Sequence, residues 1–212
     1  MYRTSEEYDR MAMLAIDILI DYGIKDFPLD IYSLCKKMQI NVIPYSAFEK
    51  DQRKLLVKKS IDGFNIPRST KYEATAFIND SFLFGTIQRK NHTVGHEIKH
   101  IVEEDKDDSE GDLCDYFSKY LRCPIPYVMH LGLTTKADII AKFDISDEQA
   151  GYVLSGIENR KAKYGNGFFE YELNLLQHLL GEDFHKDDFR IIDKEKKEAT
   201  FNDVNEDLTL IF

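Results

Sequence analysis

The chain begins with a stretch whose apolar residues recur at the spacing of an α-helix. Met11, Leu14 and Ile18 would share one face of this helix, and Thr4 with Glu7 can form a capping box at its start. The same periodicity predicts a second helix over residues 30–38. Alternating segments then predict three short strands, over residues 40–45, 62–66 and 73–79.

Helical periodicity dominates the rest of the chain. Helices are predicted within residues 86–104, 109–123, 136–143, 146–157 and 168–180. This order of elements predicts an α+β fold, in which a small, mostly antiparallel sheet packs on the helix within residues 86–104 and helices flank it on both sides.

Composition and charge narrow the class of protein. A formal net charge of −10 and a pI near 5.1 argue against a surface that binds nucleic acid directly. No apolar run is long enough to span a bilayer, and the first residues lack the pattern of a signal peptide. The 3 cysteines include no C-x-x-C pair, which is typical of reduced thiols. We therefore expect a cytoplasmic protein without a membrane partner.

Residues 96–100 read His-Glu-Ile-Lys-His, which is an H-E-x-x-H motif. Residues four apart lie on the same face of a helix, so His96 and His100 could bind one Zn²⁺ at about 2.0–2.1 Å each. Glu97 would lie close enough to take a proton from a water activated by the metal. The motif therefore predicts hydrolysis of a peptide or amide bond.

The alternative interpretation of the motif is an ordinary surface helix with two solvated histidines. Val94, Ile98 and Ile101 form an apolar stripe beside the motif, as expected of a helix packed against a core. We therefore favour the zinc site.

A catalytic zinc site normally has three protein ligands and one open position. His92 shares the face of His96, but three histidines at this spacing drift along the helix and cannot all reach one ion. We expect His92 beside the site or simply exposed. The next helix offers Glu110, Asp112 and Asp115, and a carboxylate there would complete the site.

Taken together, these segments resemble the ImmA/IrrE-type zinc metallopeptidases. That family has a strand ending in Asn, then R-x-x-F-T-x-A-H-E-x-x-H, and later a helix of the form E-x-x-x-N-x-F-A-x-x-L-L-M-P. The matching positions here are Asn79, Arg89, Thr93, residues 96–100, Asp115, Phe117, Ser118, Leu121 and Pro124. The resemblance covers roughly residues 8–160, and the paired segments are more specific than H-E-x-x-H alone.

The zinc-binding Glu of the family falls on Gly111, which has no side chain. The resemblance therefore implies Glu110 as the third ligand, with Asp112 as the alternative. Asp115 stands at the family's Asn, and this implies that it orients one of the histidine ligands. Lys99 replaces a family-typical Gly, and we expect it on the exposed side of the helix.

The resemblance implies a zinc metallopeptidase domain over residues 1–160, with a helical extension and tail over 161–212 packed on the same body. It implies a selective, zinc-dependent endopeptidase with Glu97 as the catalytic base. The substrate would be a separate regulatory protein, such as a helix-turn-helix DNA-binding repressor of a phage, a mobile element or a stress response. Three residues are candidates to stabilise an oxyanion: Tyr120, Tyr127 and His130.

The alternative function is a catalytically weak or inactive binding module on a metallopeptidase-like scaffold. It would sequester a repressor, or belong to a toxin–antitoxin or phage-defence pair. Gly111 favours this alternative, whereas the intact H-E-x-x-H motif favours the enzyme.

Overall fold

A computed structural model of the protein describes residues 4–81, 83, 85–104 and 111–193. The helices are α1 (Ser5–Asp21), α2 (Ile31–Lys37), α3 (Lys50–Lys59), α4 (Ile87–Val102), α5 (Gly111–Arg122), α6 (Ile125–His130), α7 (Lys136–Phe143), α8 (Asp147–Tyr164) and α9 (Glu170–Leu180). The strands are β1 (Asn41–Pro44), β2 (Gly63–Ile66) and β3 (Thr75–Ile78). The α+β class is thereby confirmed.

The sheet is mixed rather than mostly antiparallel, so that part of the prediction is wrong. β3 lies in the middle, antiparallel to β2 and parallel to β1. After β1 the chain passes through α3 and β2 and then forms β3. This connection allows β3 to run in the same direction as β1. β1 and β2 are the two edges of the sheet.

Helix starts follow the sequence closely. Thr4 and Glu7 form the predicted capping box at α1, and the side chain of Asp30 accepts hydrogen bonds from two backbone N–H groups at the start of α2. Ser146 caps α8 by accepting a hydrogen bond from the Gln149 N–H. Local sequence thus fixes where these helices begin.

Helix α4, which carries the H-E-x-x-H motif, packs between the sheet and α5. Val94 and Ile98 are fully buried on its apolar stripe. Gly63 on β2 permits close contact with α4, because a Cβ there would lie 2.8 Å from Thr93 Cγ2. The motif helix is therefore part of the core.

No helix in the described part of the chain is long and apolar enough to cross a membrane. The predicted packing of the tail on the same body is not tested, because residues 194–212 lie outside the described residues.

Candidate metal centre

The contact between α4 and α5 is close enough to require a glycine. A Cβ on Gly95 would lie 2.4 Å from Ser118 Oγ, and this hydroxyl donates a hydrogen bond of 2.8 Å to the carbonyl oxygen of His92. The close approach also brings the next turn of each helix together. As a result His96 and His100 on α4 face Cys114 on α5.

These three side chains form a group that could hold a metal ion. Their ligand atoms all lie within 4.8 Å of one another. Cys114 Sγ is 3.4 Å from His100 Nε2, and the two imidazole rings have their centroids 5.1 Å apart. His100 and Cys114 are buried, whereas a quarter of the His96 side chain is exposed, at 25%. The group is thus fixed by the core and open on one side.

Asp115 orients the more exposed histidine. Its Oδ1 lies 2.9 Å from His96 Nδ1 and 3.1 Å from His92 Nε2. Burial tends to raise the pKa of the Asp115 carboxyl, but the hydrogen bonds from the two histidines outweigh this and hold the pKa well below its usual range. The carboxylate therefore stays ionised, and it leaves Nε2 of His96 available to a metal.

Glu97 lies on the adjacent face of α4 and is held in place from the sheet. Its side chain is buried, and its Oε2 accepts a hydrogen bond of 2.8 Å from Asn65 Nδ2 on β2. This hydrogen bond ties the Oε2 oxygen of Glu97 to the edge strand β2.

The start of α4 is tied to the segment before β2 by a two-point ion pair. Arg89 Nε and Nη2 each donate a hydrogen bond of 2.9 Å to the carboxylate of Asp62. Such fork-to-fork pairs fix orientation as well as distance. The pair therefore holds the motif helix in register with the edge strand β2.

The histidine ligands and Glu97 line an open cleft of about 1020 Å³. β2 borders one side of the cleft through Gly63, Phe64 and Asn65, and the start of α8 borders the other. The two histidines thus face a space large enough for a segment of polypeptide, next to an edge strand.

The third ligand that the structure offers differs from the two that were predicted. Glu110 lies outside the described residues, so its role stays a prediction. Asp112 is exposed and is not part of the group, because it lies on a different face of α5 from Cys114. The thiol of Cys114 takes the place next to the two histidines.

None of the three predicted oxyanion stabilisers lines the cleft. Tyr127 packs against Phe27 and Phe143 in the core. His130 contacts the rings of Phe184 and Phe189 near the end of the described chain. Tyr120 is buried on the side of α5 away from the metal group, where it lines a second cavity.

The expectation that Lys99 is exposed is also wrong. Its side chain is fully buried, and its ammonium group pairs with Glu103 at 3.0 Å, one turn further along α4. Glu103 also pairs with Arg10 of α1. The lysine therefore reaches through the core to a carboxylate that α1 and α4 share.

Sequence reasoning missed two residues of the site, Cys114 and Asn65. A signal for Cys114 was present, because it lies three residues after Gly111 and residues at this spacing share a helix face. Asn65 had no comparable signal, since only the pairing of β2 with β3 brings it over α4.

No protein-family model matches this sequence, and no protein of curated function matches it either.

Proposed function

We propose that the protein is a zinc-dependent endopeptidase of the cytoplasm, selective for a separate regulatory protein. The observation that carries the proposal is that Glu97 lines the same cleft as His96 and His100, the two histidines that lie next to Cys114. The resemblance to the ImmA/IrrE-type metallopeptidases supports a DNA-binding repressor as the substrate.

The donor set fits zinc. Two imidazoles and a thiolate are ligands that Zn²⁺ prefers, whereas Mg²⁺ and Ca²⁺ take oxygen ligands. Three protein ligands leave one position open, which is the pattern of a catalytic rather than a structural zinc site. Zinc bound there would polarise the scissile carbonyl and lower the pKa of a water.

The protein's own groups supply the proton transfers. Glu97 accepts the proton of the attacking water and later donates it to the leaving amine. Asn65 holds the carboxylate of Glu97 in position through the hydrogen bond from its side-chain amide. Asp115 keeps the His96 ring oriented from the opposite side of the imidazole.

The shape of the cleft favours a polypeptide as the substrate. β2 is an edge strand, and an extended peptide can add to such an edge through main-chain hydrogen bonds. A peptide placed along β2 would pass Asn65 and Glu97, so its backbone would lie next to the metal group.

A metallopeptidase-like binding module is the second candidate. Gly111 favours it, because α5 offers no carboxylate at the position where the resembling family carries a zinc ligand. The module would hold a repressor in the same cleft without cleaving it.

The test is Glu97→Gln in the full chain, loaded with zinc and incubated with a peptide mixture derived from a proteome. We expect the variant to keep its zinc and to lose cleavage, because glutamine cannot accept the proton. Glu158→Gln is the matched control, since this exposed glutamate of α8 does not line the cleft. Full activity of Glu97→Gln would refute the proposed role of Glu97 in peptide hydrolysis. If the zinc-loaded wild type cleaves nothing, the binding module is favoured instead.

A further inference from the structure

A second cavity, of about 660 Å³, lies next to the cleft and shares part of its wall. The shared residues are Asp115, Lys119, Gln149 and Tyr152. At this boundary the Lys119 ammonium group lies 4.5 Å from the centre of the Tyr152 ring. A chain bound in the cleft therefore passes the entrance of the second cavity.

Aromatic rings make up much of this cavity's wall. The Tyr8 and Tyr116 ring centroids are 4.9 Å apart, and those of Tyr116 and Tyr120 are 6.0 Å apart. Further aromatic residues complete the wall: Tyr152, Tyr164, Phe169 and Tyr171. Aliphatic parts of Val153 and Ile125 lie among them. Aromatic rings favour another aromatic ring in stacked or edge-to-face contact.

Three charged side chains of the wall already have partners of opposite charge or hydrogen-bond partners. Arg160 forms an ion pair with Glu172, and its guanidinium lies 5.0 Å from the centre of the Phe169 ring. Asp115 is held by the two histidines described above. These three groups therefore do not require a charged ligand, and the aromatic wall favours an aromatic occupant.

Two polar atoms of the wall have no partner among the described residues. They are Tyr120 Oη and Arg160 Nε, and both are buried. Buried polar atoms are nearly always hydrogen-bonded, so each such exception calls for an explanation. A phenol or indole side chain would bring a hydrogen-bonding group into the cavity that Tyr120 and Arg160 line.

We propose that this cavity binds a tyrosine or tryptophan side chain of the polypeptide that lies in the cleft. This proposal rests on the proposed function, which it deepens by naming a residue class that the substrate must carry. Tyr120 acts as a specificity-determining residue here rather than as a group that contacts the reacting atoms. Asp115 lies at the boundary of the two cavities and its carboxylate contacts His96 in the cleft.

The first test measures binding without cleavage, using N-acetyl-tryptophanamide and the full-length Glu97→Gln protein. The protein has no tryptophan, so the probe is the only source of indole fluorescence. We expect saturable binding, with the emission shifted to shorter wavelength as the indole leaves water. N-acetyl-alaninamide should not compete with the probe.

Gly156→Leu fills the cavity, because Gly156 lines it and a Cβ there lies 3.1 Å from Ile125 Cδ1. Gly151→Leu on the same helix is the matched control, since Gly151 does not line either cavity. We expect Gly156→Leu to weaken binding by about tenfold or more and Gly151→Leu to leave it unchanged. Tyr120→Phe, a conservative change, should weaken binding by about tenfold or less while the protein remains folded. Absent binding, or equal binding by wild type and Gly156→Leu, would overturn the proposal.

The second test separates this proposal from the proposed function. Cleavage sites in a proteome-derived peptide mixture should show tyrosine or tryptophan at one fixed position, and Gly156→Leu should lose this preference. Cleavage without this preference would contradict the binding of an aromatic side chain in the second cavity, while the proposed peptidase activity would remain supported. Binding of the probe without any cleavage would refute the peptidase and leave the cavity as a recognition site for an aromatic side chain.

Discussion

Cys114 Sγ lies 3.4 Å from His100 Nε2, across the contact between α5 and α4. Cys114 is one turn beyond Gly111 on the same face of α5. The helix therefore presents a thiol to the two histidines of α4. In the proposed function this thiol would be the third metal ligand, although Gly111 has no side chain.

Asp115 is expected to set the affinity for zinc without binding the metal itself. Asp115→Ala should lower zinc affinity by about 10–100-fold, because the His96 ring loses the partner that orients it. Asp115→Asn should lower zinc affinity by less, since the amide oxygen of asparagine still accepts the hydrogen bond from His96 Nδ1. A chelator competition titration measures both, with the exposed Asp26→Ala as control. Unchanged affinity in Asp115→Ala would contradict this role.

A side chain at Gly95 is expected to destabilise the contact between α4 and α5. Gly95→Ala should destabilise the protein by about 1–3 kcal/mol, because the new methyl group meets the Ser118 side chain. Combining it with Ser118→Ala should recover part of the loss. Gly151→Ala is the control, since its nearest neighbour is the flexible end of Lys136. Urea unfolding gives the values, and a Gly95→Ala protein as stable as wild type would show that the helices are not in close contact.

Asp80 is expected to make the sheet sensitive to acid. Burial tends to raise the pKa of Asp80, but hydrogen bonds from the hydroxyl and N–H of Ser46 and the charge of Lys90 outweigh it and hold the pKa below its ordinary value of 3.8. Because the pKa of Asp80 is lower in the folded than in the unfolded protein, its ionised carboxylate stabilises the fold at any pH above the unfolded-state pKa. This contribution is lost as the pH falls through the folded-state pKa.

Asp80→Asn should therefore be less stable than wild type at neutral pH, and the difference should vanish as the pH falls below the folded pKa. Urea unfolding over a descending pH series measures it, with Asp26→Asn as the control. A difference that persists unchanged at the lowest pH would show that ionisation of Asp80 is not its cause.

Local patterns predicted most of the elements, because caps and periodicity act over a few residues. The capping box at Thr4 and the strand at residues 73–79 are examples. Contacts distant in sequence were not predictable in this way. The parallel pairing of β1 with β3 depends on the path of the chain between them, and the burial of Lys99 depends on Glu103 and Arg10.

The same reason explains the outcome at the site. The H-E-x-x-H spacing is local, so His96 and His100 could be placed on one helix face from the sequence. Their meeting with Cys114 depends on the crossing of two helices at Gly95 and Ser118. Sequence reasoning considered only carboxylates on α5, and it therefore overlooked the thiol.

Metal content by elemental mass spectrometry tests the central claim most directly. Wild type, supplied with zinc and kept from chelators, should carry about one zinc per chain. Cys114→Ala and His100→Ala should lose it, whereas Cys35→Ala, which removes another buried thiol, should retain it. Retention of zinc by Cys114→Ala together with its loss in Glu110→Ala or Asp112→Ala would contradict the ligand set, and wild type without zinc would contradict the metal centre itself.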